Sequence, residues 1–286
     1  MSELPADARL GAIRLRAADV GLLRDFYERA IGLRALPSDD GISAVGAADG
    51  PLVELVGAPD APVRPAGTTG LFHLALLVPT RADLARALRR IFDSGWHLSG
   101  ASDHLVSEAL YLSDPEGNGI ELYRDRPREE WPHQDDEIVM ATLPLDLEGL
   151  LAEPGADEDA PSMPDGTVLG HVHLQVADLD EASAFWVGAV GFDVTASLYP
   201  GALFVSAGGY HHHVGLNTWA GLGAPPPPEG ARGLDRFEIV LPGDMAVSAA
   251  RERLTTVTDV RDSEDGVVAR DPAGNTVLIR AAATSS

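Results

Sequence analysis

Apolar and polar residues along this chain fall into four runs that repeat one plan. Residues 13–36, IRLRAADVGLLRDFYERAIGLRAL, begin with strand-like alternation, turn at Asp19, and shift to helical spacing through Phe26 and Tyr27 before IGL. Residues 172–195, VHLQVADLDEASAFWVGAVGFDVT, do the same, with Asp178 at the turn and Phe185 and Trp186 on the helix. Two further segments match each other. LLVPTRADLARALRRI answers IVLPGDMAVSAARERL, and LSDPEGNGIELYR (112–124) answers ARDPAGNTVLIR (269–280). Each unit therefore reads strand, helix, then two or three strands. The D-P-x-G-N turn precedes the last strand, its Asn and Gly supplying the positive φ a tight hairpin demands.

The units run roughly over 10–57, 70–125, 168–219 and 232–281. Between the second and third lies an acidic, proline-rich stretch with a short strand expected at IVMATLPLD, and GLGAPPPPEG separates the third from the fourth. The expected organisation is an N-terminal domain over 1–128, a linker over 129–166 and a C-terminal domain over 167–286. The fold class is α+β, with four βαβββ modules forming curved mixed sheets around a concave cleft.

Strand parity then assigns faces. Val172, Leu174 and Val176 face the helices, so His171, His173 and Gln175 face the concave side. Leu74, Leu76 and Val78 leave His73 on that side, and Ile120 and Leu122 leave Glu121 there. The equivalent places in the other units, Ala12, Arg236 and Leu278, bind no cation, and only Glu54 offers a further carboxylate. Units two and three are thus expected to share the competent cleft. Pairing one with two and three with four would leave Glu54, His73 and Glu121 in one cleft and a histidine group without a carboxylate in the other.

Composition narrows the chemistry. The chain has 286 residues, 45% hydrophobic, and no cysteine, which leaves His, Asp, Glu or Tyr to hold any metal. A formal charge of −23 repels nucleic acid and anionic membrane alike. No apolar run is long enough to span a membrane and MSELPADARL does not read as a secretory leader, so a cytoplasmic location is expected.

Four tandem βαβββ units resemble the vicinal oxygen chelate superfamily of glyoxalase I, bleomycin-resistance proteins and extradiol dioxygenases. The stretch DHLVSEALYLSDPEGNGIEL (103–122) is similar to the extradiol signature of bacterial two-domain catechol 2,3-dioxygenase-like proteins, with Tyr111 ten residues before Glu121. The resemblance implies His73, His171 and Glu121 as ligands of Fe(II), with Mn(II) able to serve similarly, in a facial triad that opens a catechol-type diol with O2. It implies Tyr111 as a hydrogen-bond partner of the substrate and His104 as a nearby acid or base, although two extra residues separate His104 from Tyr111. Among His211, His212 and His213, parity puts the first and last on one face, and His213 falls near the Glu121 equivalent. His213 is read as a proton donor or acceptor, with His211 and His173 as additional ligands or neighbours of the ligands. The alternatives are a glyoxalase-like lyase or isomerase using zinc or nickel, which needs a second carboxylate as base, and a metal-free drug-binding protein. The expected partners are a small aromatic diol and O2, with a homodimer consistent with the superfamily.

Overall fold

The computed structural model describes residues 3–39, 41–48 and 50–283. Two large mixed sheets carry the four modules, and the pairing is crosswise. One sheet has eight strands, in which the first strand, Arg9–Ala17, pairs antiparallel with Gly233–Leu241 of the fourth module. The other has nine, in which Gly70–Leu77 of the second module pairs antiparallel with Val168–Gln175 of the third. Each sheet thus takes one module from each half of the sequence.

The helix layer ties modules in the other sense. In modules one and three the helix runs into a π-helical turn, Tyr27–Ile31 and Ala184–Val190, which ends at Gly32 and Gly191 with φ of +89° and +104°. This wider turn begins near the aromatic pair the sequence repeats. Tyr27 donates its hydroxyl to Asp114 at 3.3 Å, and Trp186 donates its indole N–H to Asp271 at 3.3 Å. Both aspartates open the D-P-x-G-N hairpins of the next module, where Asp114 also accepts from the backbone and side chain of Asn118, and Asp271 from Asn275. Burial pushes Asp271 up to about 6, so its hydrogen-bond donors matter to a carboxyl that water does not solvate. One continuous apolar core lies between sheets and helices and draws on all four modules.

The stretch after the second module is folded onto the protein. Leu150, Ala156 and Met163 are buried, and the short helix Leu147–Leu151 caps on Asp146. Within it, Leu143–Pro144 adds to the edge strand Gly100–Asp103 and so joins the nine-stranded sheet. No helix among the described residues is long and apolar enough to cross a membrane.

Replacing Trp186 by Phe keeps the ring but removes a donor from the buried Asp271. We expect a loss of about 1–3 kcal/mol in urea unfolding, and an unchanged midpoint would show that the indole bond does not anchor the module.

Candidate metal centre

The cleft lies over the seam where modules two and three meet. In the antiparallel pair at the centre, His73 stands opposite His173 and Ala75 opposite His171. On the far side of Ala75 the parallel neighbour is Glu121, and beyond it the antiparallel neighbour is Tyr111. One row across four strands therefore reads Tyr111, Glu121, Ala75, His171. Ala75 is the small member, and above its methyl group the carboxylate and imidazole approach to 3.2 Å, from Glu121 Oε2 to His171 Nε2. His73, two residues earlier on the same face as Ala75, places Nε2 3.0 Å from the same oxygen.

These three side chains are buried, and one ligand atom from each lies within 4.8 Å of the others. His73 Nε2 makes no hydrogen bond despite its closeness to Glu121, and His171 Nδ1 is buried without a partner. A cation between the side chains would relieve that arrangement, and the donor set of two imidazoles and one carboxylate suits one. The charge states agree. Burial lowers His171 to about 4, which leaves it neutral at pH 7 and free to offer a lone pair. Burial alone would raise Glu121, but the adjoining His171 and His73 outweigh it and hold the carboxyl well below the usual range.

Around this cluster is a cavity of about 280 Å³, walled largely by Phe72, Tyr111, Met140, Tyr199, Phe204 and Trp219. Glu121 is its one carboxylate among the described lining residues, and neither Arg nor Lys lines it. Tyr111 and His104 meet at 2.6 Å, between the phenol oxygen and Nε2. His104 Nδ1 lies 2.6 Å from the carbonyl of Ala141, which can only accept, so Nδ1 carries the proton and the neutral ring's Nε2 accepts from Tyr111. The hairpin that carries His104 is short because Leu105 adopts φ of +70° and its N–H bonds back to Asp103, and this tight turn brings His104 to Tyr111. His173 is a wall of the cleft. Burial lowers its pKa well below the usual value, with the nearby His73 and His171 adding to the effect, and its ring sits where a Cβ on Gly215 would come within 2.9 Å.

The three consecutive histidines separate differently from the parity expectation. The strand they were assigned to begins only at Val214, so side-chain alternation does not govern 211–213. His212 lines the cleft and packs against His171, with ring centroids 4.1 Å apart and planes inclined by 49°. His213 turns out of the cleft. Its Nδ1 is 2.8 Å from the Ser206 hydroxyl and 3.3 Å from the Ala207 N–H, and its ring borders a separate hollow with Arg9 and Arg128. His211 is fully buried beside His171, ring centroids 6.1 Å apart, with Nε2 2.8 Å from Asp125 Oδ1 and Nδ1 2.8 Å from His212 Nδ1. The residues that strand periodicity did not single out are His212, Asp125 and the Ala141 carbonyl. The DRP following the Glu121 strand placed an acid at that strand's end, but nothing in the spacing paired it with His211.

Glu54 lies on the other sheet. It accepts from Arg14 at 2.7 Å in a hollow with Arg236, Glu238 and Arg280. A second carboxylate for the cleft is therefore not supplied by Glu54.

Comparison with known proteins agrees with this architecture. Residues 9–122 match the family model of the Glyoxalase/Bleomycin resistance protein/Dioxygenase superfamily. The chain is 43% identical to a catechol-2,3-dioxygenase of Bacillus subtilis over 279 residues, covering 95% of this chain and 96% of that protein. In structure it superposes on a Bacillus subtilis protein with a TM-score of 0.65 at 14% identity, covering 96% of this chain and 84% of that one. Glyoxalase I from Zea mays gives 0.58 at 15% identity, covering 96% and 92%.

Two outcomes follow from the geometry. Ala75→Val fills the space between Glu121 and His171 at an overpacking cost of about 1–3 kcal/mol. Metal content after reconstitution should fall at least tenfold while the circular dichroism spectrum is kept, and full metal content would contradict the role of the gap. The second concerns His213, whose pKa burial lowers from 6.5 to about 3. Its unfolded form takes a proton first, so its share of stability is intact above about pH 6.5 and is lost as pH falls toward 3. Denaturant titrations at pH 7, 5 and 4 should show a shallower acid loss for His213→Phe than for wild type.

Proposed function

The chain belongs to the glyoxalase/bleomycin resistance/dioxygenase superfamily, where it is an extradiol dioxygenase, and we propose that it opens an uncharged, single-ring catechol using Fe(II) held by His73, His171 and Glu121. One observation carries the reading: two imidazoles and a lone carboxylate converge under a small aromatic-walled cleft that contains no second carboxylate among the described residues. A glyoxalase-like proton transfer needs such a second group as base, and Glu54 is engaged with Arg14 on the other sheet. The cleft's lining supports the substrate class. Apolar rings clamp a flat ring, whereas a carboxylated catechol finds no Arg or Lys among the described lining residues to pair with.

Ferrous iron, when bound, supplies adjacent coordination positions for the diol and dioxygen and conducts electron density between them. The chain's own residues bind the ring and manage protons. The Tyr111 hydroxyl donates its hydrogen bond to His104, so its oxygen is free to accept from a substrate O–H. His104 is held in that tautomer by Ala141, part of the segment that also contributes Met140 to the wall. His212, packed against His171, is the proton acceptor for the second hydroxyl and later its donor. His213, which borders a separate hollow, has no part in it.

The test is ring cleavage by protein reconstituted anaerobically with Fe(II). Catechol plus oxygen should give the yellow ring-opened semialdehyde, and kcat/KM for 3,4-dihydroxybenzoate should be lower by at least tenfold. His73→Ala should lose both iron and turnover. Equal or better use of the carboxylated diol would overturn the substrate class, and activity with zinc but not iron would overturn the reaction.

A further inference from the structure

The strand that provides Glu121 also presents Tyr123 and Asp125 at alternate positions, and Asp125 ends it 2.8 Å from His211 Nε2. A carboxylate oxygen in this pairing accepts, so His211 carries its proton on Nε2. In a neutral ring His211 Nδ1 is then an acceptor. The atom facing it at 2.8 Å is His212 Nδ1, and a hydrogen bond between two ring nitrogens requires one proton, which must come from His212. That leaves His212 Nε2 as its unprotonated ring atom, and His212 lines the cleft.

The chain is held rigidly. His211 is fully buried, with the Tyr210 ring 4.1 Å and the Trp131 ring 5.3 Å from it, centroid to centroid. Arg128 in turn lies over both Trp131 and Tyr210. Tyr210 shares a hydrogen bond of 2.7 Å with Tyr123, so the strand that carries Asp125 and the loop that carries the histidines are tied at a second point.

We propose that Asp125 and His211 are positioning residues that fix the proton of His212 on Nδ1 and so present Nε2 to the substrate as a proton acceptor. A free imidazole side chain prefers the opposite tautomer, with the proton on Nε2, which would offer the cleft a donor. The Asp125–His211 pair reverses that preference before substrate arrives. The proposal rests on the reading of His212 as proton acceptor in diol cleavage.

Two measurements separate this inference from that reading. The first is independent of activity: histidine-¹⁵N-labelled full-length protein loaded with zinc, which keeps NMR lines sharp, with the His212 signals identified by their loss in His212→Gln. Wild type should show His212 protonated on Nδ1, and both Asp125→Ala and His211→Phe should move the proton to Nε2. A wild-type His212 protonated on Nε2, or one unmoved in both variants, overturns the proposal. The second is kinetic. In Fe(II)-loaded protein His211→Phe should lower kcat about 10–100-fold, with catechol KM and bound iron unchanged, and should have no further effect in a His212→Gln background. A loss that adds to that of His212→Gln would mean His211 acts by another route. If wild type does not cleave catechol at all, the functional reading fails while the NMR result still decides the tautomer.

Discussion

The antiparallel pairing of Gly70–Leu77 with Val168–Gln175 is the contact on which the site depends. It joins the second and third modules, and its register sets Ala75 against His171 and His73 against His173. The three clustered side chains come from both halves of the chain, two from one and one from the other. A slip of one residue would turn His171 into the helix layer and bring Val172 to the cleft. The row Tyr111, Glu121, Ala75, His171 is a consequence of that register, because each neighbour is fixed by ladder hydrogen bonds and not by side-chain attraction. The methyl group of Ala75 matters as much as the three clustered side chains, since it leaves the space over which Glu121 and His171 approach to 3.2 Å.

A seam that carries charged and polar groups needs support from elsewhere. The helices provide it by joining modules that the sheets do not. Tyr27 and Trp186 bind the hairpin aspartates of the following modules, so modules one and two, and three and four, are tied through helix and turn. The sheets tie one to four and two to three. Each module is thus held by two different neighbours, and the first and fourth, which lack the ligand set, brace the pair that has it. The stretch after module two contributes as well, through the Ala141 carbonyl that sets the His104 ring.

The repeat, the strands and their inward faces were legible from the sequence because alternation and the D-P-x-G-N turns are local signals. Parity put His73, His171 and Glu121 on one face, and the structure brings them together there. What parity lacks is a rule for residues outside strands. His211 to His213 precede a strand in a bend, so His212 enters the cleft and His213 leaves it. The extra residues between His104 and Tyr111 are absorbed by the turn at Leu105, which brings the two side chains into contact. The partnership of Asp125 with His211 spans two modules, and only the fold reveals it.

The most direct measurement is X-ray absorption at the iron edge of anaerobically reconstituted protein, before and after addition of catechol. The account predicts one iron per chain, bound by two imidazole nitrogens and a carboxylate oxygen with solvent completing the sphere, and replacement of solvent by two diol oxygens once catechol is added. Iron that is not retained, or that keeps its solvent ligands when catechol is present, would contradict it.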